Sequence, residues 1–203
     1  MSHNIDKIIY INLNKRKDRK EHIENELNKY GLNFERYEAI ENNKPGVAVG
    51  CSISHLNVLK LARERNYKNI LILEDDFTFI VSKEEFENQL TLFFNENIDY
   101  NVCMLSYNLN DSEKTNYDFI VKALDVQTAS GYIVNRNYYD KLIDLYEWAY
   151  PKLSETGEHW IYASDIVWKK YQRDDKFYCF TLRIGKQMDG YSDNACAFVN
   201  YNV

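Results

Sequence analysis

Three carboxylates stand side by side in the segment ILILEDDFTF, residues 70–79, directly after four aliphatic residues. Adjacent carboxylates repel one another, so water or a cation has to compensate their charge. In an extended strand, alternate side chains point to opposite sides, which places Glu74 and Asp76 together and Asp75 apart. Carboxylate oxygens suit Mn²⁺ or Mg²⁺. We predict that Glu74 and Asp76 hold one such cation and leave Asp75 for a hydroxyl or a backbone amide; a solvated turn is the alternative.

A run of cations follows the first predicted strand, in the segment NLNKRKDRKEH. Its members precede a predicted helix and are Lys15, Arg16, Lys17, Arg19 and Lys20. The start of a helix favours anions, so cations are unexpected there. A bound diphosphate would reconcile the two, because helix starts and Arg side chains both bind phosphate. The alternative is an exposed helix start without a ligand.

Two further segments carry polar groups at predicted helix starts. In GCSISHLNVLK, Ser54 and His55 either face the same crevice as the acids, or serve as a helix cap and a satisfied buried histidine. In EHWIYASDIVWKKY, Asp165 is a candidate general base that would take a proton from an attacking hydroxyl, or it caps the helix. Nearby aromatic side chains suit either a flat apolar ligand or the core: Trp160, Tyr162 and Trp168.

The composition indicates one globular domain over residues 1–203, since 45% of the residues are hydrophobic and 28% are charged. The net charge of −6 argues against a nucleic-acid partner, which requires a basic surface. The opening MSHNIDKIIYINL contains no long apolar run. We therefore expect neither a signal peptide nor a membrane span, and a cytoplasmic location.

The cysteines are widely and irregularly spaced, with no C-x-x-C motif: Cys51, Cys103, Cys179 and Cys196. Without a secretory signal, reduced thiols are expected. The spacing does not favour a zinc site built from these four residues.

Strands alternate with helices along the chain. Predicted strands are KIIYINL, FERYEAI, the strand before the acids, NVCMLSY, DFIVKAL, TASGYIVN and FYCFTLRI. Predicted helices lie in DRKEHIENELNKYGL with a stop at Gly31, over Ser52 to Arg65, in KEEFENQLTLFF with Ser82 as its cap, in RNYYDKLIDLYEWA and around SDIVWKKYQ. This alternation predicts an α/β fold with a mainly parallel sheet, whose ligands bind outside the carboxyl ends of the strands.

The order of the motifs resembles glycosyltransferase family 25, the group of lipo-oligosaccharide galactosyltransferases that is related to the collagen galactosyltransferases. The motifs run from Tyr10 to Asp193 and are YINLNKRKDR, GCSISHLNVLK, LILEDD, GYIVNRNYYDKLI and a final Q....SD pattern. The resemblance implies a GT-A type fold, with a Rossmann-like mainly parallel sheet flanked by helices. It also implies a UDP-hexose donor and Mn²⁺ at the acidic motif.

The resemblance assigns roles by position. The nucleotide and its phosphates fall to Asn12, Leu13, Arg16 and Arg19, and the donor pocket to Ser54 and His55. Glu74 and Asp76 are expected to hold the metal, Asp75 to be left for a hydroxyl of the sugar, and Asp165 to act as the base in a direct displacement with inversion. Gln187, Ser192 and Asp193 are expected to close over the diphosphate.

This sequence departs from related metal-dependent enzymes, which often use a late histidine as a further ligand. No histidine follows His159, so Asp193 or a substrate phosphate would take that place. The acceptor is expected to be a glycan, a lipid-linked sugar or a protein hydroxyl. Two other functions stay open at this point: a degenerate module that only binds the nucleotide-sugar, and a signalling receiver domain, which ILILEDD also resembles.

Overall fold

A six-stranded sheet lies at the centre of the computed structural model, which describes residues 4–41, 48–192 and 197–200. The strands are β1 Lys7–Asn12, β2 Phe34–Glu38, β3 Asn69–Glu74, β4 Phe77–Phe79, β5 Val102–Lys114, β6 Ile120–Asn135, β7 Phe177–Phe180, β8 Gly185–Gln187, β9 Gly190–Ser192 and β10 Ala197–Val199. The helices are α1 Lys17–Lys29, α2 Val49–Glu64, α3 Lys83–Asn95, a 3₁₀ turn Arg136–Tyr138, α4 Tyr139–Thr156, α5 His159–Tyr162, α6 Ser164–Val167 and α7 Lys169–Gln172.

The strand order of the sheet is β2-β1-β3-β6-β5-β7. Strand β1 is parallel to β2 and β3, and β5 is parallel to β7. Strand β6 is antiparallel to both β3 and β5, so it runs against the other five. The predicted α/β fold with a mainly parallel sheet is confirmed.

Both faces of the sheet are buried, which explains the uninterrupted aliphatic run of β3. Ile70 and Ile72 belong to the core on the side of α2 and α4. Leu71 and Leu73 belong to the core on the side of α1 and α3. Alternation within the strand therefore supplies one apolar layer to each face, and the polar residues follow where the strand leaves the sheet.

Most predicted elements are present, with a few differences in extent. The segments DFIVKAL and TASGYIVN belong to one strand, β6, which continues through residues 125–127 between them. Helix α2 begins at Val49, three residues before the predicted start. Gly31 ends the first helical segment with a φ of 67°, and the Ser82 hydroxyl accepts a hydrogen bond from the Glu85 N–H, as predicted. Within the described residues, no helix is both long and apolar enough to cross a membrane.

Candidate active site

Strand alternation does not extend through the three acids. Strand β3 ends at Glu74, so Asp75 and Asp76 lie in the turn that follows it, where alternation no longer applies. Nη1 of Arg19 lies 3.1 Å from Oδ1 of Asp75 and 3.0 Å from Oδ2 of Asp76. All three side chains are nearly buried. The two aspartates therefore share one guanidinium, and Glu74 turns toward helix α2.

Helix α2 holds Glu74 through two side chains that lie one turn apart. Oε1 of Glu74 is 3.1 Å from Nε2 of His55 and 3.4 Å from Sγ of Cys51. The other ring nitrogen of His55, Nδ1, is 2.8 Å from the hydroxyl of Tyr132 on β6. His55 is fully buried and both of its ring nitrogens have partners, so it orients the Glu74 carboxylate. The structure does not show it on the wall of an open pocket.

Ser54 was also predicted to line the donor pocket. Its hydroxyl donates to the Gly50 carbonyl at 2.6 Å and accepts the Ile40 N–H at 2.9 Å, and the residue is fully buried. These contacts tie the start of α2 to the segment after β2. Such contacts are typical of a structural residue.

Asn12, at the end of β1, connects the cationic segment to the acids. Its amide nitrogen donates to Oδ2 of Asp75 at 2.7 Å and to the Arg16 carbonyl at 3.0 Å. Its own Oδ1 accepts a hydrogen bond from Nε of Arg36 at 3.0 Å. Because Asn12 is almost wholly buried and makes these three hydrogen bonds, it fixes the strand ends.

The segment around β9 lies over the cations of α1. The Tyr191 carbonyl accepts hydrogen bonds from Nη2 of Arg19 at 2.9 Å and from Nη1 of Arg16 at 3.3 Å. Arg16 also pairs with Asp18, and its N–H donates to the Leu13 carbonyl in the turn after β1. The structure thus brings together Arg16, Arg19, Leu13 and the strand that ends at Ser192.

Strand β8 places Gln187 beside Asp76. It pairs with β4, in register Phe77 to Gln187, and the Met188 N–H donates to the Asp76 carbonyl at 2.6 Å. The Phe77 ring fits between Gly131 and Gly185, where a Cβ on either glycine would overlap the ring. The two glycines thereby let Phe77 anchor the turn that carries Asp76.

Asp165 belongs to helix α6 and lies in the same region as the acidic turn. Ser164 donates its N–H to the Ser52 hydroxyl at 3.3 Å, which ties α6 to α2. Oδ2 of Asp165 accepts the Thr128 N–H at 3.1 Å. Thr128 has a φ of 88°, an unfavourable conformation for a β-branched residue, within a stretch of β6 whose register with β5 is irregular. A hydrogen bond from the strained backbone at Thr128 therefore holds the Asp165 side chain. Asp165 does not cap the helix, which was the predicted alternative.

The carboxylates of the site differ in their pKa. Burial, together with repulsion from Glu74, raises the pKa of Asp76 to about 7. Burial also raises the pKa of Asp75 and that of Asp165, although Arg19 and the Thr128 N–H respectively oppose it. Burial would raise the pKa of Glu74 too, but hydrogen bonds from His55 and Cys51 outweigh it and leave that pKa lowered. Arg19 and a hydrogen bond from Gln187 therefore offset only part of the negative potential around Asp76.

One carboxylate oxygen of this cluster is suited to bind a cation. Oδ1 of Asp76 is buried and has no hydrogen-bond partner among the described residues. A buried carboxylate oxygen without a partner is costly unless a cation or an ordered water satisfies it. Glu74 stands close enough to raise the pKa of Asp76 and supplies a second carboxylate. Asp193, the predicted third ligand, lies outside the described residues.

The aromatic residues near Asp165 have different surroundings. Trp168 is fully buried and packs edge-on against Tyr132, with ring centroids 5.3 Å apart, so it belongs to the core. Trp160 is 62% exposed. Three residues of the site were not predicted from the sequence: Cys51, Thr128 and Tyr132. Of these, only Cys51 offered a signal, because it lies one helical turn before His55.

Comparison with known families matches the chain to "Glycosyltransferase family 25 (LPS biosynthesis protein)" over residues 5–47 and 45–167. The chain belongs to glycosyltransferase family 25. It is therefore a glycosyltransferase, and its family match includes the acidic turn and Asp165. Gln187, Ser192 and Asp193 lie beyond the matched residues. A comparison with curated proteins found no match.

Solved structures similar to this family 25 chain are distant. A197 from STIV is 12% identical, with 97% of this chain and 100% of that chain covered and a TM-score of 0.49. A glycosyltransferase involved in the glycosylation of the major capsid of PBCV-1 is 12% identical, with coverages of 87% and 92% and a TM-score of 0.42. A putative glucose-1-phosphate thymidylyltransferase from Bacillus anthracis is 9% identical, with coverages of 86% and 67% and a TM-score of 0.44.

Proposed function

We propose that this family 25 enzyme transfers a hexose, galactose or glucose, from a UDP-sugar to an acceptor hydroxyl, with a divalent cation and with inversion at the anomeric carbon. The observation that carries the proposal is Oδ1 of Asp76, which is buried and has no hydrogen-bond partner in the part of the chain that the structure describes, in a turn where three carboxylates meet at the carboxyl end of β3. This is the edge of an α/β sheet where ligands bind. Family membership removes the receiver-like alternative.

The cation would be Mn²⁺ or Mg²⁺, and Glu74 and Asp76 would hold it, with Asp193 or a substrate phosphate as a further ligand. Hard carboxylate oxygens suit both ions, which commonly bind one or two carboxylates together with substrate phosphates. When bound, such an ion neutralises the charge that develops on the departing UDP. Asp75, which already accepts hydrogen bonds from Asn12 and Arg19, would then help to place the sugar.

The diphosphate would lie against Arg16 and Arg19, since guanidinium groups bind phosphate oxygens in a planar, two-pronged manner. Both guanidinium groups already converge on one acceptor, the Tyr191 carbonyl. A phosphate that takes the place of this carbonyl would couple donor binding to movement of β9. Asn12 and Leu13 would meet the nucleotide, and Gln187 and Ser192 would close over the diphosphate.

Asp165 would serve as the general base. The pKa of Asp165 is raised toward neutral pH, and a general base is most effective when its pKa lies near the working pH. The acceptor oxygen would bond to the anomeric carbon while the bond from that carbon to the UDP oxygen breaks, and the acceptor proton would pass to Asp165. The acceptor would be a glycan, a lipid-linked sugar or a protein hydroxyl, reached from the cytoplasm.

Two assays test this function. A thermal-shift panel of UDP-, GDP- and CMP-sugars, with and without Mn²⁺, should show stabilisation by a UDP-hexose that depends on the metal. Transfer or donor hydrolysis should then fall by about 10²–10⁴-fold in Asp165→Asn, with UDP and metal binding retained. Unchanged turnover in that variant would remove Asp165 from the mechanism. Tight UDP binding without transfer or hydrolysis by the wild type would favour the binding-module alternative.

A further inference from the structure

Three metal-ligating atoms of different chemical type converge behind the acidic turn. Cys51 and His55 lie four residues apart on α2, so their side chains share one face of the helix. With Glu74 they place one ligand atom each within 4.8 Å of one another. We propose that Cys51, His55 and Glu74 form a second cation site, one that takes a thiophilic divalent ion such as Zn²⁺.

Two of the three ligand-to-ligand separations are close to those of a tetrahedral zinc site, and the third lies within 4.8 Å. Bond lengths of about 2.0 Å to nitrogen or oxygen and about 2.3 Å to sulfur give ligand-to-ligand separations of about 3.3–3.5 Å in a tetrahedron. Nε2 of His55 lies 3.1 Å from Oε1 of Glu74, and Sγ of Cys51 lies 3.4 Å from the same oxygen. An ion could therefore take the place of the two protons that these contacts now share, with little movement of the side chains.

Tyr132 supplies the outer partner that such a site requires. Its hydroxyl lies 2.8 Å from Nδ1 of His55 and can either donate or accept a hydrogen bond. If Nε2–H of a neutral His55 donates to Glu74, Nδ1 accepts a hydrogen bond from the hydroxyl. With an ion bound, Nδ1–H would donate to the hydroxyl and the Nε2 lone pair would bind the metal. Metal-binding histidines commonly have a partner on their second nitrogen in this way.

The donor set separates this site from the proposed catalytic one. A thiolate and an imidazole favour Zn²⁺ over Mg²⁺ and Mn²⁺, whereas the carboxylates of the acidic turn favour the harder ions. Cys51 and Glu74 are partly exposed, whereas His55 is fully buried. Over residues 4–41, 48–192 and 197–200, this is the one cluster of three such donors. It uses a single cysteine, unlike the four-cysteine site that the spacing disfavours.

Glu74 belongs to both sites, and this gives the second one a regulatory role, a step that rests on the proposed function. Zinc bound by Cys51 and His55 engages Oε1 of Glu74 and reduces what that carboxylate can offer to the catalytic cation. Zinc should therefore inhibit transfer in competition with Mn²⁺. Removal of Cys51 should relieve this inhibition.

The site is tested on the full chain without any sugar donor. Titration of the wild type with Co²⁺ should produce a thiolate-to-cobalt charge-transfer absorption that Zn²⁺ abolishes. Cys51→Ala should lose that absorption and bind Zn²⁺ at least about 100-fold more weakly in competition with a chromogenic chelator. Tyr132→Phe, which removes only the outer partner, should cost about 10–100-fold. Cys103→Ala is the matched control, since Cys103 is a buried thiol in β5 and should leave both readouts unchanged.

A measurement on the wild type alone guards against variants that fail to fold. Zinc should slow alkylation of Cys51, mapped by peptide mass spectrometry. Absence of the charge-transfer absorption, its survival in Cys51→Ala, or alkylation of Cys51 at the same rate with zinc would each overturn the proposal.

The two proposals fail separately. Asp76→Asn should retain the cobalt absorption while losing metal-dependent UDP binding. Metal-dependent UDP binding in a protein that shows no cobalt–thiolate absorption would overturn the zinc site and leave the proposed function intact. A cobalt–thiolate absorption in a protein that binds no UDP-sugar would support the site, and would overturn only its regulatory role.

Discussion

Nη1 of Arg19 lies 3.0 Å from Oδ2 of Asp76, so a cation from α1 is held against the acidic turn after β3. The same nitrogen is 3.1 Å from Oδ1 of Asp75. One guanidinium thus offsets part of the repulsion between two buried carboxylates, and Oδ1 of Asp76 stays without a partner among the described residues. Arg19 compensates only part of the negative charge of the turn, and a bound divalent ion would compensate the rest.

Replacing Arg19 by Met should destabilise the protein strongly at neutral pH. It leaves two nearly buried carboxylates unpaired, and breaking a buried pair costs about 3–5 kcal/mol. The free energy of unfolding from urea denaturation measures this cost. Lys20→Met is the control on the same helix, because Lys20 is more exposed and lies 3.8 Å from Glu24. Equal losses in the two variants would show that the Arg19 pair does not stabilise the turn.

The stability of the wild type should depend on the ionisation of Asp76. Its pKa is about 7 in the folded protein, well above the ordinary value of 3.8. Between these values the folded state keeps a proton that the unfolded state has lost, so this group makes the free energy of unfolding fall as pH rises, by about 1.4 kcal/mol per pH unit. Asp76→Asn should remove this contribution. The free energy of unfolding of the variant should therefore rise relative to that of the wild type between about pH 4 and about pH 7.

A divalent cation should reverse that loss, because it binds the ionised carboxylate. Mn²⁺ should raise the melting temperature of the wild type more at about pH 8 than at about pH 5, and should have little effect on Asp76→Asn. Parallel pH profiles of stability for the two proteins, with equal responses to Mn²⁺, would contradict the assigned role of Asp76.

Adding a methyl group beside Phe77 should disturb the acidic turn. A Cβ at residue 131 would lie 2.5 Å from Cε2 of Phe77, and overpacking of this kind costs about 1–3 kcal/mol. Gly131→Ala should therefore lower both the free energy of unfolding and the affinity for Mn²⁺ with UDP. Gly190→Ala is the control, since a Cβ there meets no atom within 4 Å. If Gly131→Ala behaves like Gly190→Ala, Phe77 does not anchor the turn.

The charged groups of the candidate site could be placed near one another from the sequence because they follow strand ends. Asn12 and the acids stand next to the ends of β1 and β3, and Arg19 lies in the helix that follows β1. The hydrophobic pattern of the two strands and the polar residues that end them were enough to place these groups at one edge of the sheet. The turn that carries Asp75 and Asp76 was not predicted, because strand alternation was extended past Glu74, where the strand ends.

Contacts distant in sequence gave no such signal. Tyr132 is 77 residues from His55, and nothing local indicates that its hydroxyl meets the ring. Thr128 is a good strand-forming residue, so its positive φ opposes its own preference and follows from the irregular register of β6. An isolated glycine within a strand pattern, Gly131, was the available sign of a close approach.

Relaxing the backbone at Thr128 should stabilise the protein. A non-glycine residue at such a φ costs about 1–3 kcal/mol, and glycine adopts it freely. We expect Thr128→Gly to raise the free energy of unfolding by about 1 kcal/mol while keeping the N–H that Asp165 accepts. Thr128→Val, which retains the branched Cβ, should show no gain. A loss of stability in Thr128→Gly would mean that the side chain contributes more than the strain costs.

Calorimetric titration of UDP into the wild type and into Asp76→Asn, each with and without Mn²⁺, tests the central claim most directly. We predict that the wild type binds UDP tightly only when Mn²⁺ is present and that Asp76→Asn, still folded, loses this dependence together with most of the affinity. Equal affinity of the wild type with and without the metal, or unchanged metal-dependent binding in the variant, would contradict the claim that these carboxylates hold the cation that binds the diphosphate.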